Sequence, residues 1–544
     1  MTTTLILAVP TIGALWLLWR VFGAYLQRSP LDNVPGPERT SFLRGNISDI
    51  FDRHGWQYHD RLANEFPAVA KYHGPFGTRG LYVSDPKALN NVIVKEQHIY
   101  EEPRWFLGWL YMTFGPGLLS TIGDHHRRQR KMLNPVFSIA HMRGMTPLFY
   151  RVIHRLRTAV ENEVGNTTTE IDLHNWMART ALELVGQGGL GYSFDPLTSN
   201  TRNAYGDAIK AFIPLTFKLH YYRILLPLVR NIGTPAFREW VADRIPSKDV
   251  QEFRKTIKVM QSNAKHIYDS KKTALEQGDK AVMHQIGEGK DIISILMKAN
   301  LHASGEDKLP EEEVLGQMGM LLTAGTDTTT NALSRTFHLL AENQDIQDKI
   351  RAELSEAGPD GADIPYDTLV DLPLLDAVCR ETLRLYSPVV MMNREVRQDV
   401  VMPLSEPIRG VNGQILNEIF VPKDTTVIIA IRACNRNKAI WGEDALEWKP
   451  ERWLNKLPDS VAAAHVPGVY SHLMTFLGGG RACIGFKFSQ LEMKVVLAVL
   501  LRTFRVHASS QPICWNIAGV SYPTVGPEAK RQAMPLRLEP LKTT

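Results

Sequence analysis

Residues 310–343 read as one continuous helix, and that helix limits what the rest of the chain can fold into. Pro310 suits a first helical position, and Glu311, Glu312 and Glu313 complement the positive end of the helix dipole. Val314, Met318, Leu321 and Leu322 then recur at helical spacing. At ~1.5 Å per residue such a helix runs about 50 Å, enough to cross a whole domain. Its middle, "LLTAGTDTTTNAL" (321–333), is built against propensity. Gly costs about 1 kcal/mol against Ala inside a helix, and Thr is a weak helix former. The Thr328 hydroxyl can bond back to the carbonyl of Ala324. Gly325 lets something lie close to the helix, and two readings stay open: a bulky bound group, or a tight crossing by another helix.

Around it, residues 80–95 read as strand, turn and helix, and 124–165 as charged and helix-prone. Residues 168–275 are mostly helical, interrupted by the apolar run "FIPLTFKLHYYRILLPLV" (212–229). "TTVIIAI" (425–431) reads as a short late strand. The expectation is a mainly α fold with small β-sheets. A hydrophobic content of 44% against 22% charged residues is that of a globular protein. The net charge of +5 comes without a basic block, zinc-finger spacing or fixed repeat, so a nucleic-acid partner is not expected. Of the four cysteines, none sit at CxxC spacing. Cys379, Cys434 and Cys514 read as reduced, mostly buried thiols; Cys483 is different.

Residues 5–26, "LILAVPTIGALWLLWRVFGAYL", carry one charge, Arg20. Their length suits a membrane-spanning helix, and Arg20 and Arg28 at the far end place the body on the cytosolic side. A cleaved signal would carry its positive charge in front; that reading and an interfacial helix broken at Pro10 are the alternatives. "NVPGPERT" (33–40) is stiffened by Pro35 and Pro37. The organisation expected is a membrane anchor over 1–29, a proline-rich hinge over 30–40 and one large body over 41–544.

Within that body, "FLGGGRACIG" (476–485) sets one cysteine among small residues, two positions after Arg481 and just before an amphipathic helix. A thiolate there is favoured by the helix dipole and exposed amides, and suits a single sulfur–metal bond to a large anionic cofactor such as haem. In "ETLRLYSP" (381–388), Glu381 and Arg384 stand three apart on one helix face. "KPERW" (449–453) offers Arg452 as a second partner for Glu381. In "GDHHRRQRKMLNPVF" (123–137), His126 and Arg130 stand one helical turn apart, while Arg127, Arg128 and Lys131 read as a solvated basic face.

Together, and in this order, these motifs resemble those of the cytochrome P450 superfamily, in its membrane-bound, fungal-like form, over about residues 30 to 510. Phe476, Gly479, Arg481, Cys483 and Gly485 match its haem-binding signature; residues 324–329 match its oxygen-activation motif; Trp453 stands where Phe is commoner. The resemblance implies a cytochrome P450 fold preceded by one transmembrane helix, with Cys483 as axial ligand of haem b. It makes Arg481, Arg130, His126 and Arg394 the propionate partners, and Ala324 and Gly325 the helix surface over the cofactor. Thr328 and Asp327 would deliver protons during oxygen activation. Glu381, Arg384 and Arg452 would form a buried structural network.

The activity implied is insertion of one oxygen atom into a lipophilic small molecule, such as a terpenoid or other secondary metabolite. Electrons would come from NADPH through a separate cytochrome P450 reductase, with cytochrome b5 as a further donor, at the endoplasmic reticulum membrane. A haem-thiolate isomerase or dehydratase acting on a peroxide, and a non-catalytic membrane-tethered haem protein, are the alternatives. Intact Thr328 and Asp327 argue against the first and the complete motif set against the second.

Overall fold

The computed structural model describes residues 23, 27–195, 197–198, 208, 212, 215–216, 218–219, 232–303, 305 and 308–541. The 5–26 run therefore lies outside the described residues except for Gly23, and the 212–229 run lies largely outside them. Among the described residues no helix is long and apolar enough to cross a membrane. The chain divides into two compact units, one comprising Met1–Pro103, Val390–Glu447 and Pro458–Ala482, the other Arg104–Val389, Trp448–Leu457 and Cys483–Thr544. The division falls inside the 476–485 segment, just before Cys483.

The first unit is built on a five-stranded sheet ordered Val69–His73, Arg79–Val83, Thr426–Ile429, Met392–Val396, Tyr100–Glu101. Thr426–Ile429 is its central strand, parallel to Arg79–Val83 and antiparallel to Met392–Val396. With both faces covered, Val427, Ile428 and Ile429 are all buried, which is why the strand reads as a continuous apolar run without alternation. Ile50, Leu62, Tyr72, Tyr82 and Ile428 form the core on one side. A long hairpin, Val400–Arg409 with Ile415–Val421, forms a separate two-stranded sheet. The proline-rich segment is stiff and also tied down. The Pro35 carbonyl accepts from the Lys71 amide at 2.8 Å, Asp32 pairs with Arg79 at 2.9 Å, and the Asn33 carbonyl accepts from Val411 at 2.8 Å.

The second unit is mainly helical. Its longest helix runs Glu311–Glu342, with Pro310 as the N-cap residue rather than the first helical position. Leu173–Leu184 lies along it, and Phe486–Thr503 packs against both it and Ile139–Val164. Gly325 of the longest helix is closely approached by a neighbouring element. A Cβ there would come within 2.8 Å of Val185 Cγ2, so the residue that lies against this glycine is the first of the π-helical turn Val185–Leu190. Two small sheets complete the unit: Thr169–Asp172, Pro535–Pro540 and Phe504–Ala508 in antiparallel order, and the hairpin Ile513–Asn516 with Tyr522–Val525. The expected mainly α architecture with small sheets is thus what forms.

Candidate active site

The 476–482 half of the cysteine loop is moulded on residues 93–102. Phe476 meets Tyr470 edge to face, ring centres 5.5 Å apart. Gly479 adopts φ +64°, and a Cβ on it would lie 1.8 Å from the Ile93 carbonyl oxygen. On Gly478 a Cβ would lie 1.6 Å from the Pro467 carbonyl oxygen. What these glycines admit is other backbone of the same unit. The Gly480 amide donates to Gln97 Oε1 at 2.8 Å. Arg481 lies 3.4 Å from Glu101 and 3.1 Å from Glu102, and Arg394 lies 3.4 Å from Glu102. Burial pushes the Glu101 carboxyl up, with Arg481 opposing, and pushes Arg394 down, with Glu102 opposing.

Cys483 and Gly485 open the other half. Gly485 is the N-cap of Phe486–Thr503, at φ −87°, with only Phe137 near a built Cβ, at 3.9 Å. Cys379 and Cys434 are buried, and burial pushes each thiol to about 12. Cys514 is half-buried rather than buried, because it lies on the short hairpin Ile513–Asn516. Cys483 alone is exposed. Crowding by protein pushes the thiol up, while the Gly485 amide and the charge of Arg130 pull it back only in part.

His126 and Arg130 share the helix Gly123–Leu133; His126 is buried, and Arg130 is the cation acting on Cys483. The neighbouring face of this helix is fastened to the start of the longest helix, where Glu313 accepts from Gln129 at 2.6 Å and pairs with His125 at 2.8 Å. Arg128, expected on a solvated face, stands 3.6 Å from buried Glu313. Arg127 and Lys131 are exposed as expected.

The threonine-rich segment stays α-helical throughout. Its hydroxyls bond back one turn: Thr326 to Leu322 at 2.7 Å, Thr328 to Ala324 at 2.8 Å, Thr330 to Thr326 at 2.7 Å. Thr329 instead reaches Ser489 at 3.3 Å, linking the motif to the helix that follows Cys483. Ala324 is exposed, Asp327 and Thr328 half-buried. The Asp327 carbonyl accepts from Asn331 at 2.8 Å.

Glu381, Arg384 and Arg452 do come together. Arg384 donates twice to Glu381, each at 2.8 Å, and both side chains are fully buried. Arg452 Nε adds a contact at 3.4 Å, the Lys449 amide one at 3.1 Å and Trp453 Nε1 one at 2.9 Å. Trp453 thus supplies a donor that Phe could not. Trp448 reaches Thr382 at 3.1 Å in the same cluster.

Sequence reasoning missed Gln97, Glu101 and Glu102. The available signal was two consecutive acids in "YEEPRW" (100–105), in a short strand with no helical partner to pair them. Each unit taken by itself carries chemistry that fits a haem: in the first, Arg481 and Arg394 already bind carboxylates, as they would a propionate, and in the second the exposed Cys483 thiol accepts a backbone N–H beside a cation.

Comparison with known proteins agrees. The family model for cytochrome P450 matches residues 35–520. The chain is 54% identical to cytochrome P450 monooxygenase 91 of Postia placenta, over 98% of each chain. It is 50% identical to monooxygenase 212 of the same fungus, over 97% of each. It is 47% identical to a ganoderic acid synthetase of Ganoderma lucidum, over 98% of each. With a family match across most of its length and relatives of this kind, the chain belongs to the cytochrome P450 family and is a haem-thiolate monooxygenase.

Proposed function

We propose that the enzyme hydroxylates or epoxidises a lipophilic small molecule, with haem b ligated by Cys483 and electrons supplied from NADPH through a separate reductase, helped by cytochrome b5. Bound haem supplies the activation of O2, and thiolate ligation favours O–O cleavage. Arg481, Arg394, Arg130 and His126 would hold its propionates through charge-assisted hydrogen bonds. Phe476, Gly479 and Gly485 shape the loop, and Ala324 and Gly325 the helix facing the cofactor. The observation that carries the reading is the Thr328 hydroxyl. It is half-exposed, one turn above exposed Ala324 and hydrogen-bonded to its carbonyl at 2.8 Å. A hydroxyl so held offers its oxygen as an acceptor, and it passes its proton on by exchanging the Ala324 bond for one to the new acceptor. Half-exposed Asp327, beside it, is the proton's entry from water. Thr328→Ala should therefore keep NADPH consumption but divert it from product to peroxide and water. Unchanged coupling of NADPH to product would remove Thr328 from the proton path.

For the substrate, terpenoids and other secondary metabolites are the first classes to test, supported by the relative named for ganoderic acid. Phe114 and Gly117 pack on Gly319 and Met320 of the longest helix. The cellular setting proposed is the endoplasmic reticulum membrane, with residues 1–29 as single-pass anchor, 30–40 as the stiff connection and 41–544 as a cytosolic catalytic body. Asn166 begins an exposed Asn-Thr-Thr sequon and should stay unglycosylated in a eukaryotic host; glycan there would reverse the orientation. Asn46 cannot report on this, because it is fully buried and its side chain accepts from the His73 amide.

A further inference from the structure

The strand pairing of Tyr100–Glu101 with Met392–Val396 gathers a compact set of charges around Arg481. Glu102 bridges two arginines, Oε1 3.4 Å from Arg394 and Oε2 3.1 Å from Arg481. Glu101 places a second carboxylate 3.4 Å from Arg481. Arg397 donates to the Glu102 carbonyl at 2.6 Å and pairs with Glu395 at 2.5 Å, completing the set. The Arg394 side chain is 2% exposed and that of Glu102 8%, so solvent and salt screen these charges little. Arg394, Arg397 and Arg481 are balanced by Glu101, Glu102 and Glu395. An arginine already facing a carboxylate presents a weaker positive potential to a second anion than the same arginine alone.

We propose that Glu102, with Glu101 as its lesser partner, is a positioning residue that fixes Arg481 and Arg394 and offsets their charge, holding the haem at a more negative reduction potential than the arginines alone would set. The inference rests on Arg481 and Arg394 being propionate partners. Reduction adds an electron to the haem, so each nearby negative charge opposes it and each positive charge favours it. This would keep the resting enzyme oxidised unless a sufficiently strong electron donor is present.

The test is a potentiometric titration of the full-length, substrate-free holoenzyme, followed by its haem absorption. Glu102→Gln keeps the shape and removes the charge. It should shift the reduction equilibrium about tenfold toward the ferrous form, which is 59 mV for one electron. Glu101→Gln should move it the same way by less, and both should retain haem. Arg481→Gln should move it in the opposite direction. If the glutamate variants leave the potential unchanged, or lower it, while Arg481→Gln shifts it, the proposal is overturned and the role of the arginines stands. If Arg481→Gln also leaves it unchanged, the arginines do not face the haem and both fail together. Loss of haem from both glutamate variants would assign the pair to holding the loop alone and overturn the electrostatic role.

Discussion

Replacing Glu381 with alanine is expected to cost about 3–5 kcal/mol of stability, the range for removing one partner of a buried ion pair. Glu381 is a carboxylate shared by Arg384 and Arg452, and all three side chains are within a few per cent of full burial. Its loss also strips an acceptor from Trp453 Nε1 and from the Lys449 amide. A folded domain holds only about 5–15 kcal/mol in reserve, so much of that margin goes at once. Glu381→Ala should unfold at a markedly lower denaturant midpoint and be recovered largely without haem. Glu381→Gln, which keeps acceptor oxygen but not charge, should fall between it and the parent. A midpoint shift equivalent to less than about 1 kcal/mol would show that the pair behaves as an exposed one.

A comparably large effect is expected from Gly479→Ala, for a different reason. An L-residue in the left-handed region costs about 1–2 kcal/mol before any contact is counted. At Gly479, φ is +64° and the new methyl would lie 1.8 Å from the Ile93 carbonyl oxygen, so backbone must move. The loop and residues 93–102 would separate, and with them the contacts of Gln97 and Glu102 to the loop. Haem retention should fall more than tenfold. Gly485→Ala is the contrasting variant, since its φ is −87° and its nearest contact is at 3.9 Å. Both glycines belong to the same sequence signature, yet only the first is demanded by the protein's own packing. Equal sensitivity of the two positions, measured as haem dissociation rate, would contradict this.

The longest helix was legible almost to the residue, 310–343 against Glu311–Glu342, because acidic residues at its start and apolar spacing along it are both local signals. The Thr328–Ala324 bond was legible for the same reason. Glu381 and Arg384 were visible as a pair, but their burial was not. At spacing i,i+3 they look like a surface bridge until residues about seventy positions later close over them. Gly478 and Gly479 could be recognised as special, but not the reason, since the atoms that forbid a side chain belong to Pro467 and Ile93. The net upward push on Cys483 was hidden too, because a helix-terminus argument counts dipole and amides and cannot count the protein packed around the sulfur. The hairpin Val400–Arg409 with Ile415–Val421 went unread, its exposed and buried residues being interrupted by an irregular stretch between Pro403 and Ile408.

The most direct measurement is the reduced, carbon-monoxide-bound difference spectrum of the full-length holoprotein beside its Cys483→Ser variant. The parent should show the red-shifted band of a thiolate-ligated haem, and the variant should lose it while Cys379, Cys434 and Cys514 remain in place. Persistence of that band in Cys483→Ser, or its absence from the parent, would contradict the assignment of Cys483 as the haem ligand.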